Sequence, residues 1–208
     1  MNILSLFKGR KHYKALEIPA SLERFEVILS GSGGQGMILA GRILAEAASI
    51  YDHKEAIMAK SYGPEARGGA SRAEVIISSS PIDYPRVTRA DALLAMTQES
   101  LDGYGKFLDA NGILIVDETF VKKIPTNFKN VFKAPFNTTA MKFFDTPIVV
   151  NIIALSCLVS ITKVVSREAL LHAALARFPK KLLVPDRIAA DIGFKIARDS
   201  GFTWKKKG

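Results

Sequence analysis

The chain has 208 residues, with 29 Lys and Arg against 20 Asp and Glu, a formal charge of +9 at pH 7. Apolar residues make up 48% and charged residues 24%. That composition supplies enough apolar surface to offset chain entropy, so a mainly disordered chain is excluded. The one cysteine, Cys157, excludes an internal disulfide, a CxxC zinc site and a cysteine-ligated iron–sulfur cluster held by this chain alone. His12, His53 and His172 share no metal-ligand spacing, so any redox metal is expected on a partner.

The charge is concentrated at the ends. Residues 1–24 carry Lys8, Arg10, Lys11, Lys14 and Arg24 against Glu17 and Glu23, a net +3, and Lys205, Lys206 and Lys207 add a further +3. These shifts divide the chain into a basic extension (1–24), a body (25–202) and a basic tail (203–208). The order of charge and apolar residues at the N-terminus is wrong for a secretory signal. The longest uncharged run, Thr146–Thr162, has 17 residues and contains Pro147 and Asn151. That is short for a membrane span, and a buried helix over 147–162 is predicted instead. The expectation is a cytoplasmic protein that contacts no membrane.

From Phe25 the pattern becomes regular. A β-type run to Ser30 ends in Gly31-Ser32-Gly33-Gly34-Gln35-Gly36. A helix to about Ile50 follows, with Leu39, Ile43, Ala47 and Ile50 on one face. Residues 55–59 read as a strand. Residues 72–79 alternate and read as a half-buried strand. Residues 92–96 read as a buried strand leading to a helix over about 99–108. Asn111-Gly112 predicts a turn, and 113–116 and 131–134 are further strands. Ser166 is a candidate N-cap for a helix carrying Leu171, Ala174, Leu175 and Phe178. Asp186 is a candidate cap for a last helix ended by Gly201. Strands alternating with helices predict an α/β fold: a single Rossmann-like layered domain with a mostly parallel sheet and a helical C-terminal third.

Two loops carry the chemistry. Gly31-x-Gly33-x-x-Gly36 between a strand and a helix fits a dinucleotide fingerprint, in which glycines let backbone approach a phosphate at a helix start. An NAD site adds an acid at the end of the second strand. Here Lys60 stands in that place, which disfavours NAD. A phosphate-rich ligand and mere close packing of helix on strand both stay open. The second loop, Lys60-Ser61-Tyr62-Gly63-Pro64-Glu65-Ala66-Arg67-Gly68-Gly69-Ala70-Ser71-Arg72, follows the second strand. Lys60, Arg67 and Arg72 are its cations, with Glu65 a counter-charge and Tyr62 an amphipathic ring. They could clamp a phosphate, or hold a loop that docks a neighbouring subunit.

Together, GSGGQG at 31–36 and SYGPEARGGASRAEVIIS at 61–78 closely resemble the gamma subunit of 2-oxoacid:ferredoxin oxidoreductases, most of all the 2-oxoglutarate branch. The resemblance runs from about Phe25 to Ser200 and includes Asp83-Tyr84-Pro85 and Asn151-Ile152-Ile153-Ala154-Leu155. It implies a non-catalytic subunit, inactive alone, in an enzyme that converts a 2-oxoacid and coenzyme A to an acyl-coenzyme A, carbon dioxide and reduced ferredoxin. Thiamine diphosphate and iron–sulfur clusters would lie on the partners: alpha and beta subunits and a ferredoxin-like subunit, with ferredoxin as acceptor. This chain would bind no cofactor tightly, with a homodimer open to it when alone. Coenzyme A would meet it at Gly31, Gly33, Gly34, Gln35, Gly36, Lys60, Tyr62, Gly63, Glu65, Arg67, Gly68 and Gly69. Ser156-Cys157 departs from the family's usual Gly-Ala, and Val184-Pro185-Asp186 from a usual acidic-Leu-Asn string. The alternative is a stand-alone dinucleotide- or phosphate-binding α/β module. Nucleic-acid binding is disfavoured, since no basic helix or aromatic platform accompanies the charge.

Overall fold

The computed structural model describes residues 24–61, 70–177 and 183–206. Six strands form one sheet: β1 (Arg24–Gly31), β2 (Glu55–Ser61), β3 (Ser71–Ser78), β4 (Ala90–Ala95), β5 (Leu108–Asp117) and β6 (Asn130–Ala134). Their order is β2-β3-β1-β4-β5-β6. β1, β4, β5 and β6 are parallel neighbours, whereas β3 runs antiparallel to both β1 and β2. The mostly parallel α/β sheet expected from the alternation of elements is therefore present, with one reversed strand inserted beside β1.

Among the described residues there are six α-helices: α1 (Met37–Glu46), α2 (Gln98–Tyr104), α3 (Phe136–Phe144), α4 (Val150–Thr162), α5 (Arg167–Leu175) and α6 (Leu183–Asp199). One face of the sheet presents Phe25, Val27, Leu29, Ala73, Val75, Leu94 and Ile115 to α1 and to the helices after β6. The other face, with Ile28, Ile76, Leu93 and Leu114, is covered by Leu101 of α2 and by Val87 and Val121 from loops. β3 is buried from Ala73 to Ser78 on both faces rather than half-exposed. The carboxylate of Glu74 is buried because it pairs with Arg72 at 2.8 Å. Glu26 is likewise buried, its Oε2 accepting from the Thr88 and Arg89 amides at 2.8 and 3.2 Å.

Several local expectations are corrected. Asn111-Gly112 is no turn but lies inside β5, where the pairing with β4 shifts register between Ala90 and Ala92. A Cβ at Gly112 would come within 3.0–3.1 Å of the Asp91 and Ala90 carbonyls, so the glycine admits the irregularity. The first helix ends in one wider turn, Ala47–Tyr51. The helix predicted over 99–108 stops at Tyr104 and continues as a single 3₁₀ turn, Gly105–Phe107. The apolar 147–162 segment is helical as expected: a 3₁₀ turn (Pro147–Val149) and then α4, buried along nearly all its length. Ser166 caps α5, its hydroxyl accepting from the Ala169 amide at 3.1 Å. Asp186 is not a cap, because α6 starts three residues earlier and Asp186 lies in its first turn. Phe178 lies outside the described residues.

Arg24 already belongs to β1, pairing with Ser78. At the other end, Phe202–Lys206 form a strap across the amino ends of the strands. Phe202 packs edge-on to Phe132, Trp204 edge-on to Phe25, and the Trp204 indole donates to the Asn111 carbonyl at 3.0 Å. Lys206 donates to the Arg24 carbonyl and to Asp91 Oδ2, the latter at 2.9 Å. Burial pushes the Asp91 carboxyl above its usual range, against the opposing pull of the Glu26 amide and Lys206. No helix among the described residues is long and apolar enough to cross a membrane.

Candidate functional site

β1 is followed by α1 on one face of the sheet, and β4 by α2 on the other. The chain thus leaves these adjacent parallel strands in opposite directions, and their carboxyl ends form the switch point at which α/β sheets place a ligand crevice. The glycine loop forms one wall. Its shape is set internally: Gln35 Oε1 accepts from the Ser32 amide at 2.9 Å, and the Gln35 amide donates to the Ser32 carbonyl at 3.2 Å. The Asn151 amide of α4 lies 3.5 Å from the Gly36 carbonyl, closing the loop from behind.

The glycines divide into two kinds. Gly36 is the left-handed residue opening α1 (φ 71°), and a Cβ there would stand 2.6 Å from Asn151 Nδ2. A Cβ at Gly31 would meet Gln35 Oε1 at 2.5 Å and Met37 and Met96 at 3.1 Å. These two serve packing. Gly34 also has positive φ (91°), but open space surrounds it. Gly33 has neither a positive φ nor a neighbour within 4 Å of its Cβ position, and it is exposed. Nothing inside the fold requires a glycine at 33. What it provides is bare backbone at the mouth of the crevice, beside a helix start with no acidic residue in its first turn.

The sheet register brings the two ends of the second loop to the same place. Ser61, where the loop leaves β2, pairs with Arg72, and Ser71, where β3 begins, pairs with Gly31. The Ala70 amide donates to Glu99 Oε1 of α2 at 3.2 Å, which ties the loop's end to the crevice. Buried hydroxyls stitch this corner. Ser30 Oγ donates to the Ser71 carbonyl and bonds Ser100 Oγ, both at 3.0 Å. Thr97 caps α2 by accepting from the Ser100 amide at 3.2 Å.

Of the sequence-predicted residues, Gly31, Gly33, Gly34, Gln35 and Gly36 line the first loop, and Lys60 is exposed near the end of β2. Tyr62, Gly63, Glu65, Arg67, Gly68 and Gly69 lie outside the described residues. Arg72 is corrected as a ligand cation: it pairs with Glu74 and stacks over the Tyr104 ring at 4.9 Å. Lys122 and Lys123 went unnoticed in the sequence because nothing local marks them. Gln98 Oε1 accepts from both their amides at 3.0 Å, holding them beside the start of α2. An open depression of about 790 Å³ lies there, lined by Gln98, Phe120, Lys122 and Lys123 among others. Among the described residues no three His, Cys, Asp or Glu side chains gather as metal ligands. Cys157 is buried in α4, and burial pushes its thiol up to about 12, so it stays protonated at neutral pH.

The dinucleotide geometry is not reproduced. A ribose-binding acid belongs on the strand after the first helix, next to β1. Here β3 lies between that strand and β1, and its Ser71 and Arg72 occupy the neighbouring position.

An open glycine loop at a switch point, joined by a cation-bearing loop delivered by a reversed strand, is the arrangement to be accounted for. Residues 26–195 match the sequence profile of the pyruvate ferredoxin/flavodoxin oxidoreductase family, and the chain belongs to that family. Among its relatives, the 2-oxoglutarate synthase subunit KorC of Methanocaldococcus jannaschii is 43% identical over 178 residues, spanning 85% of this chain and 95% of that one. The solved gamma subunit of a keto/oxoacid ferredoxin oxidoreductase from Geobacter sulfurreducens PCA is 46% identical, with a TM-score of 0.76 covering 84% of this chain and 99% of that one. The 2-oxoglutarate:ferredoxin oxidoreductase of Magnetococcus marinus, solved with 2-oxoglutarate, coenzyme A and succinyl-CoA, has the same fold: TM-score 0.76 at 21% identity, covering 85% of this chain and 31% of that one.

Proposed function

We propose that this chain is the gamma subunit of a 2-oxoglutarate:ferredoxin oxidoreductase, a cytoplasmic enzyme that oxidatively decarboxylates a 2-oxoacid to an acyl-coenzyme A and passes the electrons to ferredoxin. The observation that carries it is 43% identity along 95% of a 2-oxoglutarate synthase subunit. The subunit is non-catalytic and inactive alone. Beside the glycine loop the hydroxyls of Ser30 and Ser100 bond each other rather than a base. Thiamine diphosphate and the clusters are then supplied by alpha, beta and ferredoxin-like partners. Phe143, Ile148, Val184 and Ile188 are large apolar side chains 47–74% exposed. The 147–149 turn packs against both α3 and α6, and such exposed apolar residues are usual where subunits meet.

Within the complex this chain's part is coenzyme A handling at the two loops. Gly33 and Gly34 offer backbone to a phosphate without a side chain in the way, and the start of α1 adds the positive end of a helix dipole. The second loop also carries the cations Lys60 and Arg67, whereas Arg72 is paired with Glu74. The coenzyme A and succinyl-CoA held by the Magnetococcus marinus enzyme support this role for the fold.

Arg67→Ala tests it in the reconstituted complex. The expected result is a KM for coenzyme A raised about ten-fold, or weakened assembly, with an unchanged melting temperature. Unchanged coenzyme A use and unchanged assembly would reduce the loop to a structural element. Calorimetry on the lone chain separates the alternative: tight NADP or FAD binding that Gly33→Val abolishes would favour a stand-alone nucleotide module.

A further inference from the structure

A groove of about 660 Å³ opens between the carboxyl ends of α4 and α6 and the C-terminal strap. Ile161, Ala197, Phe202 and Trp204 give it an apolar floor, and Lys163, Arg198, Lys205 and Lys206 a cationic rim. Among the described residues no carboxylate lines it. It is separate from the crevice described above: Asn151 touches the glycine loop, while Thr162, roughly 17 Å further along α4, lines the groove.

Part of the rim charge has an internal explanation. Arg198 pairs with Asp199 and Lys206 with Asp91. Cations also complement the carbonyl ends of the two helices. Lys163 and Lys205 are exposed and make no ion pair among the described residues. An apolar floor beneath unneutralised cations is complementary to an occupant that is both apolar and acidic.

We propose that this groove docks an acidic, amphipathic peptide segment of another subunit of the complex. An apolar side chain of that segment rests against Phe202 and Trp204, and its carboxylates meet Lys163 and Lys205. This inference rests on the subunit reading above. The chain's own residues 1–23 are a poor occupant. They carry Lys8, Arg10, Lys11 and Lys14 against Glu17 and Glu23 and would be repelled by the rim.

Lysine footprinting with sulfo-NHS-acetate tests it, on the full-length chain alone and in the assembled complex. Acetylation of Lys163 and Lys205 should slow about ten-fold on assembly, and the double reversal Lys163→Glu/Lys205→Glu should weaken assembly about ten-fold, with the melting temperature lowered only by the small loss that a charge reversal at the end of α4 brings. Equal labelling of both lysines in lone and assembled chain would overturn the proposal and leave the subunit reading standing. Protection already present in the lone chain, and relieved by deleting residues 1–23, would overturn it in favour of self-occupancy. A chain that joins no thiamine-binding partner would overturn both readings together.

Discussion

At Gly36 the backbone sits at φ 71°, with the Asn151 amide 2.6 Å from where a Cβ would stand. Three residues earlier, Gly33 is open on all sides. Substitution should therefore separate stability from function within one loop. Gly36→Ala should cost about 1–2 kcal/mol for the left-handed backbone alone, and more as Asn151 is displaced. Gly33→Ala should leave urea stability within about 0.5 kcal/mol yet impair coenzyme A use in the complex. Equal stability losses at the two positions would refute the division. Asp186 offers a second test at this scale. It is buried, its Oδ2 has no hydrogen-bond partner among the described residues, and burial raises its carboxyl from 3.8 to about 6. The folded state then holds more protons than the unfolded state between those values, so this group's effect on stability worsens as pH rises from about 4 to 6. Asp186→Asn should raise the thermal midpoint at pH 7.5, with the gain fading toward pH 4. A gain that is the same at both pH values would show that the buried charge is not its cause.

Among the elements, the α4–α6 crossing depends on one residue. A Cβ at Gly193 would lie 2.2 Å from the Ile153 carbonyl oxygen and 2.9 Å from Ser156 Cβ. Gly193→Ala should therefore force the helices apart at about 1–3 kcal/mol, read by denaturant unfolding. The small Ser156 at this crossing accommodates the approach. The strap is a second such element: Trp204→Ala should lose roughly 1–2 kcal/mol from a half-buried ring against Phe25. What could be read from sequence at this scale follows from whether the cause was local. β1, β4, α1 and α4 were legible because their apolar runs, periodic in α1 and continuous in the other three, are bounded by glycine, proline or charge. α3 was not: Asn137, Thr138 and Thr139 are weak helix formers. What holds it is Asp117, twenty residues back, which accepts from the Asn137 backbone amide at 2.9 Å. Likewise Arg72 read as a free loop cation: Glu74 stands two residues on along the same strand, but the Tyr104 ring is brought to it only by the folded sheet. The glycine loop was visible as a motif, but which glycines serve packing depends on Asn151, Met37 and Met96, and only the fold supplies those neighbours.

For the molecule as a whole, the +9 that marks the sequence resolves into separate jobs. Lys206 is internal, closing the amino ends of the strands through Asp91. Arg24 is held by Glu26 at 2.7 Å. Lys163 and Lys205 line the groove, while the glycine loop lies at the opposite end of the sheet. One end of the sheet is thus closed by the chain's own tail, and at the other, among the described residues, the glycine loop presents bare backbone at Gly33 and Gly34. A subunit that contributes a surface rather than a reaction centre calls for such an arrangement. Reconstitution with each subunit omitted in turn, following coenzyme A- and 2-oxoglutarate-dependent ferredoxin reduction, tests that claim most directly. Activity should require this chain together with its thiamine-binding partners, and the chain alone should show none. Turnover by the lone chain, or full coenzyme A-dependent activity in its absence, would contradict it.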